Sequence, residues 1–120
     1  MSNADVFQSY LERFTAGDVE GAGEYLVEDF RFEGPVFRAN NRADFLAGAS
    51  QLGPIVRGCE IHRQWVDDDQ VCSIYDFKIE TPLGTGSIPM AEWSVVRDGQ
   101  LVSSRLLFDT AAMAALMPAG

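Results

Sequence analysis

Gln70-Val71-Cys72-Ser73-Ile74-Tyr75-Asp76-Phe77-Lys78-Ile79-Glu80 runs into Thr81-Pro82-Leu83-Gly84, and this stretch decides the fold. It is dense in β-branched and aromatic side chains and ends in turn residues, so residues 70–80 read as a long strand. Tyr75, Phe77 and Ile79 alternate on one face, with Ile74, Asp76 and Lys78 on the other. The flanking segments read the same way. Residues 58–66 carry Cys59, Ile61, Trp65 and Val66 and precede the acidic turn Asp67-Asp68-Asp69. Residues 86–97 form a third long strand, Arg97-Asp98-Gly99 turns it, and residues 100–109 form a fourth. This is an antiparallel meander whose strands have few purely polar faces, so both faces are expected to be covered.

Upstream, the period changes from two to between three and four. Val6, Phe7, Tyr10, Leu11 and Phe14 make one stripe of a helix from about Ala4 to Ala16, capped by Ser2 or Asn3 and ended by Gly17. Asp18 is placed to cap a second short helix carrying Val19, Ala22, Tyr25 and Leu26. Phe30-Arg31-Phe32-Glu33 alternates as a short strand stopped by Gly34-Pro35. Asn41, with Asp44 three residues on, starts a third helix that offers Phe45, Leu46, Ala49 and Leu52 inward and stops at Gly53-Pro54. Thr110 to Met117 is an alanine-rich tail long enough for one or two helical turns. Helices followed by long antiparallel strands make an α+β chain, expected to form a single domain over residues 1–120. An apolar outer sheet face in so small a chain suggests a homodimer through that face.

The bulk composition excludes several classes of partner. The 120 residues are 47% apolar and 22% charged, an ordinary globular balance, and the net charge is −9. Without a basic stripe there is no footprint for nucleic acid or for an anionic membrane surface. No apolar run reaches the roughly 18 residues of a membrane span, and the N-terminal residues lack a signal-peptide pattern, so the expected compartment is the cytoplasm. Cys59 and Cys72 fall on adjacent strands about five positions out of register, roughly 16 Å apart at ~3.3 Å per residue, and are expected to be free thiols. Two cysteines and one histidine, His62, build no metal site by themselves, and no cofactor is expected. Asp67-Asp68-Asp69 lacks the spacing of a calcium loop, Gly84-Thr85-Gly86 is a hairpin rather than a phosphate loop, and Trp65 and Trp93 read as packing residues.

The order of elements, together with Thr15-Ala16-Gly17-Asp18, Arg97-Asp98-Gly99 and Arg105-Leu106-Leu107-Phe108-Asp109, resembles the nuclear transport factor 2-like superfamily over nearly the whole chain. The nearest likeness is to its SnoaL-like branch of polyketide cyclases, ketosteroid isomerases and limonene epoxide hydrolases. That resemblance implies a cone-shaped, curved antiparallel sheet wrapped around three N-terminal helices, a cystatin-like α+β roll with a pocket inside. It implies an oxyanion-hole role for Tyr10. The place of the isomerases' general base holds Gly34 beside Glu33, which argues against ketosteroid isomerisation, and their second acid falls at Ala91 or Glu92. A pocket aspartate of the epoxide hydrolases matches Asp76, but their arginine is Ile74 here and their water-activating aspartate is Leu106. Neither catalytic set is intact.

Two readings of Glu92 stay open. A three-residue loop at the last hairpin sets it opposite Ser104, on the face of Met90, Leu106 and Phe108; a two-residue turn sets it opposite Arg105, on the outer face. In the first register Asp76 and Glu92 become neighbours in one cavity and share a proton as acid and base, with Tyr10 orienting an oxygen. In the other reading Asp76 pairs with Lys78 or Arg105 on a solvated face. The expected lining is Phe14, Phe45, Ile74, Met90, Ser104, Leu106 and Phe108, and the expected partner a small apolar, ring-containing molecule converted by a cofactor-free isomerase, cyclase or hydrolase. The rival is a non-catalytic binding or dimerisation module whose cavity its own side chains fill; a ligand site needs roughly 300 Å³ or more.

Overall fold

The computed structural model describes residues 1–117. Helix α1 spans Asn3–Thr15; Ser2 caps it by accepting from the Asp5 amide, and the Asp5 side chain accepts from the Ser2 amide in return. Gly17 ends it at φ +89°, where a side chain would be strained. Asp18 caps α2 (Val19–Gly23), which stops earlier than the apolar spacing implies. With two glycines in five residues it has little helix propensity, and Leu26 is instead the first, fully buried residue of β1 (Leu26–Glu33). A turn closed by the Gly34 amide on the Phe37 carbonyl leads to β2 (Arg38–Ala39), an element the sequence did not signal. Then come α3 (Arg42–Ala49), capped by Asn41, and a 3-10 turn over Ser50–Leu52. The four long strands are β3 (Val56–Asp67), β4 (Gln70–Thr81), β5 (Gly84–Arg97) and β6 (Gln100–Phe108), before the short α4 (Thr110–Ala114).

The strands form one curved, unclosed sheet in the order β2-β1-β6-β5-β4-β3. It is antiparallel except between β1 and β6, which run parallel. Tyr75, Phe77 and Ile79 are fully buried beneath α1, with Phe7 over Tyr75 and Phe14 over Phe77 at ring-centre distances of 6.3 and 6.4 Å. Their apolar face is thus covered within the chain, and the argument that it requires a second copy falls. Phe45 of α3 fills the other end of the core, 5.2 Å from Phe30 and 4.9 Å from Phe32. Both cysteines are free: Cys59 stands opposite Phe77 and Cys72 opposite Trp65, one position from the expected Gln64 because the hairpin turns on two residues, Asp68 and Asp69, with Asp67 opposite Gln70. No helix among the described residues is long and apolar enough to cross a membrane.

The β5–β6 hairpin corrects both registers read from the sequence. Asp98 (φ +53°) and Gly99 (φ +77°) form a two-residue turn, with Arg97 opposite Gln100 and Val96 opposite Leu101. Continued unchanged, that ladder would set Glu92 against Arg105. It shifts between Val96 and Val95, leaving Val102 as an extra residue, so Val95 meets Ser103, Ser94 meets Ser104 and Glu92 meets Leu106. Glu92 lies on the inner face through the unbroken alternation of β5, with Met90, Ser94 and Val96, and the extra residue turns Ser104, Leu106 and Phe108 of β6 to that same face.

Burial of this kind predicts an asymmetric response to truncation. Phe30→Ala, at a fully buried ring, should cost about 3–5 kcal/mol in urea unfolding. Leu107→Ala, on the outer face at 57% exposure, should stay within about 0.5 kcal/mol of the parent. Equal effects at the two positions would contradict the assignment of faces.

Candidate functional site

Between the helices and the inner sheet face lies a cavity of about 560 Å³. Its walls are overwhelmingly apolar: Phe14 and Phe45 from the helices, Phe32 and Phe37 from β1 and the turn after it, and Met90 and Phe108 from the sheet. Gly48 is required where α3 passes the Phe37 ring, since a Cβ there would fall 2.3 Å from it. Leu52, Val36 and Met113 of α4 stand around the same space.

Three ionisable side chains line this cavity among the described residues: Glu92, Tyr75 and Tyr10. Glu92 is 3% exposed and fully hydrogen-bonded. The Tyr75 hydroxyl donates to its Oε1 at 2.8 Å, and the Ser104 hydroxyl donates to its Oε2 at 2.6 Å. Ser94 and Ser104 also share a hydrogen bond. Because Ser104 spends its only proton on Glu92, Ser94 is the donor in that pair, and the three groups form an ordered relay. Burial pushes the Glu92 carboxyl above its usual range, while the hydrogen bonds from Ser104 and Tyr75, which favour the charged form, pull the other way with less effect. Burial first, and the neighbouring Glu92 charge second, raise the hydroxyls of Tyr10 and Tyr75 well above the normal phenol value. Both therefore keep their protons and act as hydrogen-bond donors at any physiological pH. Tyr75 is committed to Glu92; no side-chain hydrogen bond engages the Tyr10 hydroxyl among the described residues, which leaves it free for a ligand oxygen.

The residues expected from the sequence divide cleanly. Tyr10, Phe14, Phe45, Met90, Glu92, Leu106 and Phe108 all line the cavity. Ser104 does not line it but lies behind Glu92 and holds it. Ile74 and Asp76 are on the other side of the sheet. With Tyr75 and Phe77 inward, strand alternation sends residues 74 and 76 outward. Asp76 stands opposite Pro89, while Glu92 stands opposite Ser73, so the two carboxylates do not share a cavity and the expected acid–base pair is not formed. Nor does Asp76 pair with Lys78 or Arg105: its Oδ2 is 3.0 Å from Nε2 of His62. Tyr75 was missed as a site residue. Its alternation with Asp76 was visible in the sequence, but which of the two faces looks inward was not, and its reach to Glu92 depends on the β4–β5 register.

A family model described as a SnoaL-like domain matches residues 7–104. No curated protein sequence gives a significant match. Among solved structures, an NTF2-like protein of unknown function from Burkholderia pseudomallei superposes with a TM-score of 0.86 at 18% identity, over 99% of this chain and all (100%) of that one. A protein described as a SnoaL-like polyketide cyclase from Shewanella denitrificans gives 0.83 at 13% identity, with 95% of each chain covered. An LEH-like epoxide hydrolase from M. tuberculosis gives 0.82 at 16% identity, over 95% of this chain and 88% of that one. At these identities the likeness establishes the shared fold and nothing finer.

The electrostatics of Glu92 have a measurable consequence. Its folded pKa lies above the usual 4.5, so the folded state holds the proton more tightly than the unfolded chain does. The associated stability is present in full below pH 4.5 and is lost as pH rises through the raised pKa. Glu92→Gln should remove that loss, flattening the stability–pH curve and leaving neutral-pH stability equal or higher. Denaturant titrations across this range test it, with the Glu92 carboxyl carbon followed by NMR. A titration at or below 4.5 would refute the assignment.

Proposed function

Because this chain belongs to the SnoaL-like domain family, we propose that its cavity receives a small apolar, ring-containing carbonyl compound and that Glu92 moves a proton on it without a cofactor. The observation that carries this reading is a single buried carboxyl in an otherwise apolar space, beside one tyrosine hydroxyl that the protein leaves unused. Ionised, Glu92 takes a proton from the carbon next to the carbonyl. Tyr10 donates to the oxygen where negative charge then gathers, and the apolar walls keep water from competing for that charge. The same carboxyl returns the proton at a different carbon, which isomerises the compound, or the enolate closes a ring onto a second carbonyl of the molecule, whose oxygen becomes a hydroxyl by taking the proton back from Glu92. Tyr75 and Ser104 fix the carboxyl and keep it from becoming too basic, and its upward shift brings it nearer to neutral pH, where a general base works best.

A cavity near 560 Å³ exceeds the roughly 300 Å³ a ligand site requires, which favours this reading over a module filled by its own side chains. The test incubates the protein with apolar cyclic ketones in heavy water and follows exchange of the α-protons by NMR. Glu92→Gln should lower the exchange rate by about 10²–10⁴-fold and Tyr10→Phe by about 10–10³-fold, with ketone binding retained in both. Binding without exchange in the parent protein would leave a binding module and end the catalytic reading.

We also infer that the protein pairs with a second copy through the outer sheet face, on a basis different from the one the sequence offered. Trp93 and Leu107 are at least half exposed there, with Trp65 only slightly less, across neighbouring strands. Light scattering should report twice 13.2 kDa, and Trp93→Asp should halve that mass without altering the circular dichroism spectrum. A parent protein of 13.2 kDa at micromolar concentration would exclude the pairing.

A further inference from the structure

Asp76 and His62 are the polar residues of the sheet that the cavity leaves unexplained. On the outer face Glu60 and Asp76 are direct partners across β3 and β4, and His62 lies two residues beyond Glu60, at the bulge that interrupts the ladder. Nε2 of His62 is 3.0 Å from Oδ2 of Asp76, and one carboxylate oxygen of Glu60 completes a triangle whose three atoms all lie within 4.8 Å of one another. We propose that Glu60, His62 and Asp76 bind a divalent transition metal ion of the zinc type, with water filling its remaining positions.

The donor set selects the metal. One imidazole nitrogen and two carboxylate oxygens suit zinc and its first-row neighbours; calcium and magnesium take oxygen ligands and gain little from an imidazole. Bonds of about 2.0–2.2 Å hold neighbouring donors about 3.3 Å apart around zinc. The His62–Asp76 pair already meets that spacing, and the exposed Glu60 side chain closes the rest by rotation. All three ligands rise from two hydrogen-bonded strands, so the backbone has nothing to rearrange. The local charges permit it. The Lys78 ammonium, 4.0 Å from Glu60, is the one cation paired with these three side chains among the described residues and is half exposed, free to swing into solvent as the metal enters. The Arg63 guanidinium lies over the Trp65 ring, 5.1 Å from its centre, rather than on Asp76. A single histidine made no metal site in the sequence, because its co-ligand Asp76 comes from the neighbouring strand and only strand pairing brings it near.

Because His62 is the only histidine, its ring signals need no assignment. Metal-free full-length protein should take up one equivalent of zinc by calorimetry, with the imidazole nitrogen and proton resonances shifting in step. His62→Ala and Asp76→Asn should each weaken binding about tenfold or more. Glu80→Gln, on the same strand but paired with Arg57, should leave binding unchanged. The proposal is overturned if millimolar zinc produces no uptake. It is equally overturned if the imidazole signals stay put at saturation, or if binding survives in His62→Ala, which would assign the ion to the thiols or to the diffuse acidic surface.

Discussion

A strand pair joined by the two-residue turn Asp98-Gly99 sets Glu92 opposite Arg105, unless the ladder gains a residue before reaching it. It gains Val102. Side-chain parity has a period of two, so one extra residue in β6 inverts the pairing of everything beyond it and aligns the inner face of β6 with that of β5. Met90, Glu92 and Ser94 then meet Phe108, Leu106 and Ser104 across a common interior. The β6 wall of the cavity and the serine relay depend on that inserted residue, while the carboxyl itself is turned inward by the unbroken alternation of β5.

Sending a carboxyl inward carries a desolvation cost that the surroundings must offset. Two hydroxyls answer it directly, and a third supports one of them. The inner face therefore gives Ser94 and Ser104, and the paired Ser73 that accepts from Gln64, positions an apolar side chain would otherwise fill. The offset is partial, since burial still outweighs the hydrogen bonds and leaves the carboxyl above its usual range. A core selected for stability alone has no need of this arrangement: a Gln or Leu at position 92 would avoid the cost. The residual mismatch is itself a reason to place the chemistry at Glu92.

Much of this was legible in the sequence wherever a short-range period controlled it. The stripe Val6-Phe7-Tyr10-Leu11-Phe14, the caps at Asp18 and Asn41 and the four long strands are local patterns, and all are found. What escaped was set by pairing between segments. β2 is two residues long and exists because Phe32 finds Ala39. The inward course of Glu92 was reached through a three-residue loop that is not there; β5 alternation turns it inward, and the bulge in β6 brings Ser104, Leu106 and Phe108 to the same side. Asp76 is the instructive failure. The alternation Tyr75-Asp76-Phe77 put it on the face opposite the two aromatics, as found, but the family likeness made that face the pocket side and left the aromatics outside, and the structure reverses the two.

Removing Asp76 from the interior changes what chemistry the cavity can support. Two carboxyls in one site share a proton, so one is always ready as acid while the other serves as base. A lone carboxyl must take the proton and hold it until it is given back. Reactions that begin and end with the same proton inventory suit it: shifting a double bond, or closing a ring through an enolate. Attack by water on an epoxide instead asks for a base at the water and an acid at the ring oxygen in the same step. Glu92 can supply one of those, and Tyr10, its hydroxyl raised well above the phenol range, is a hydrogen-bond donor too weakly acidic to give its proton away readily. On the reading proposed for Glu92, the lone carboxyl lining the cavity among the described residues suits a proton shuttle better than two-carboxyl hydrolysis, even though the fold is shared with a protein described as an epoxide hydrolase.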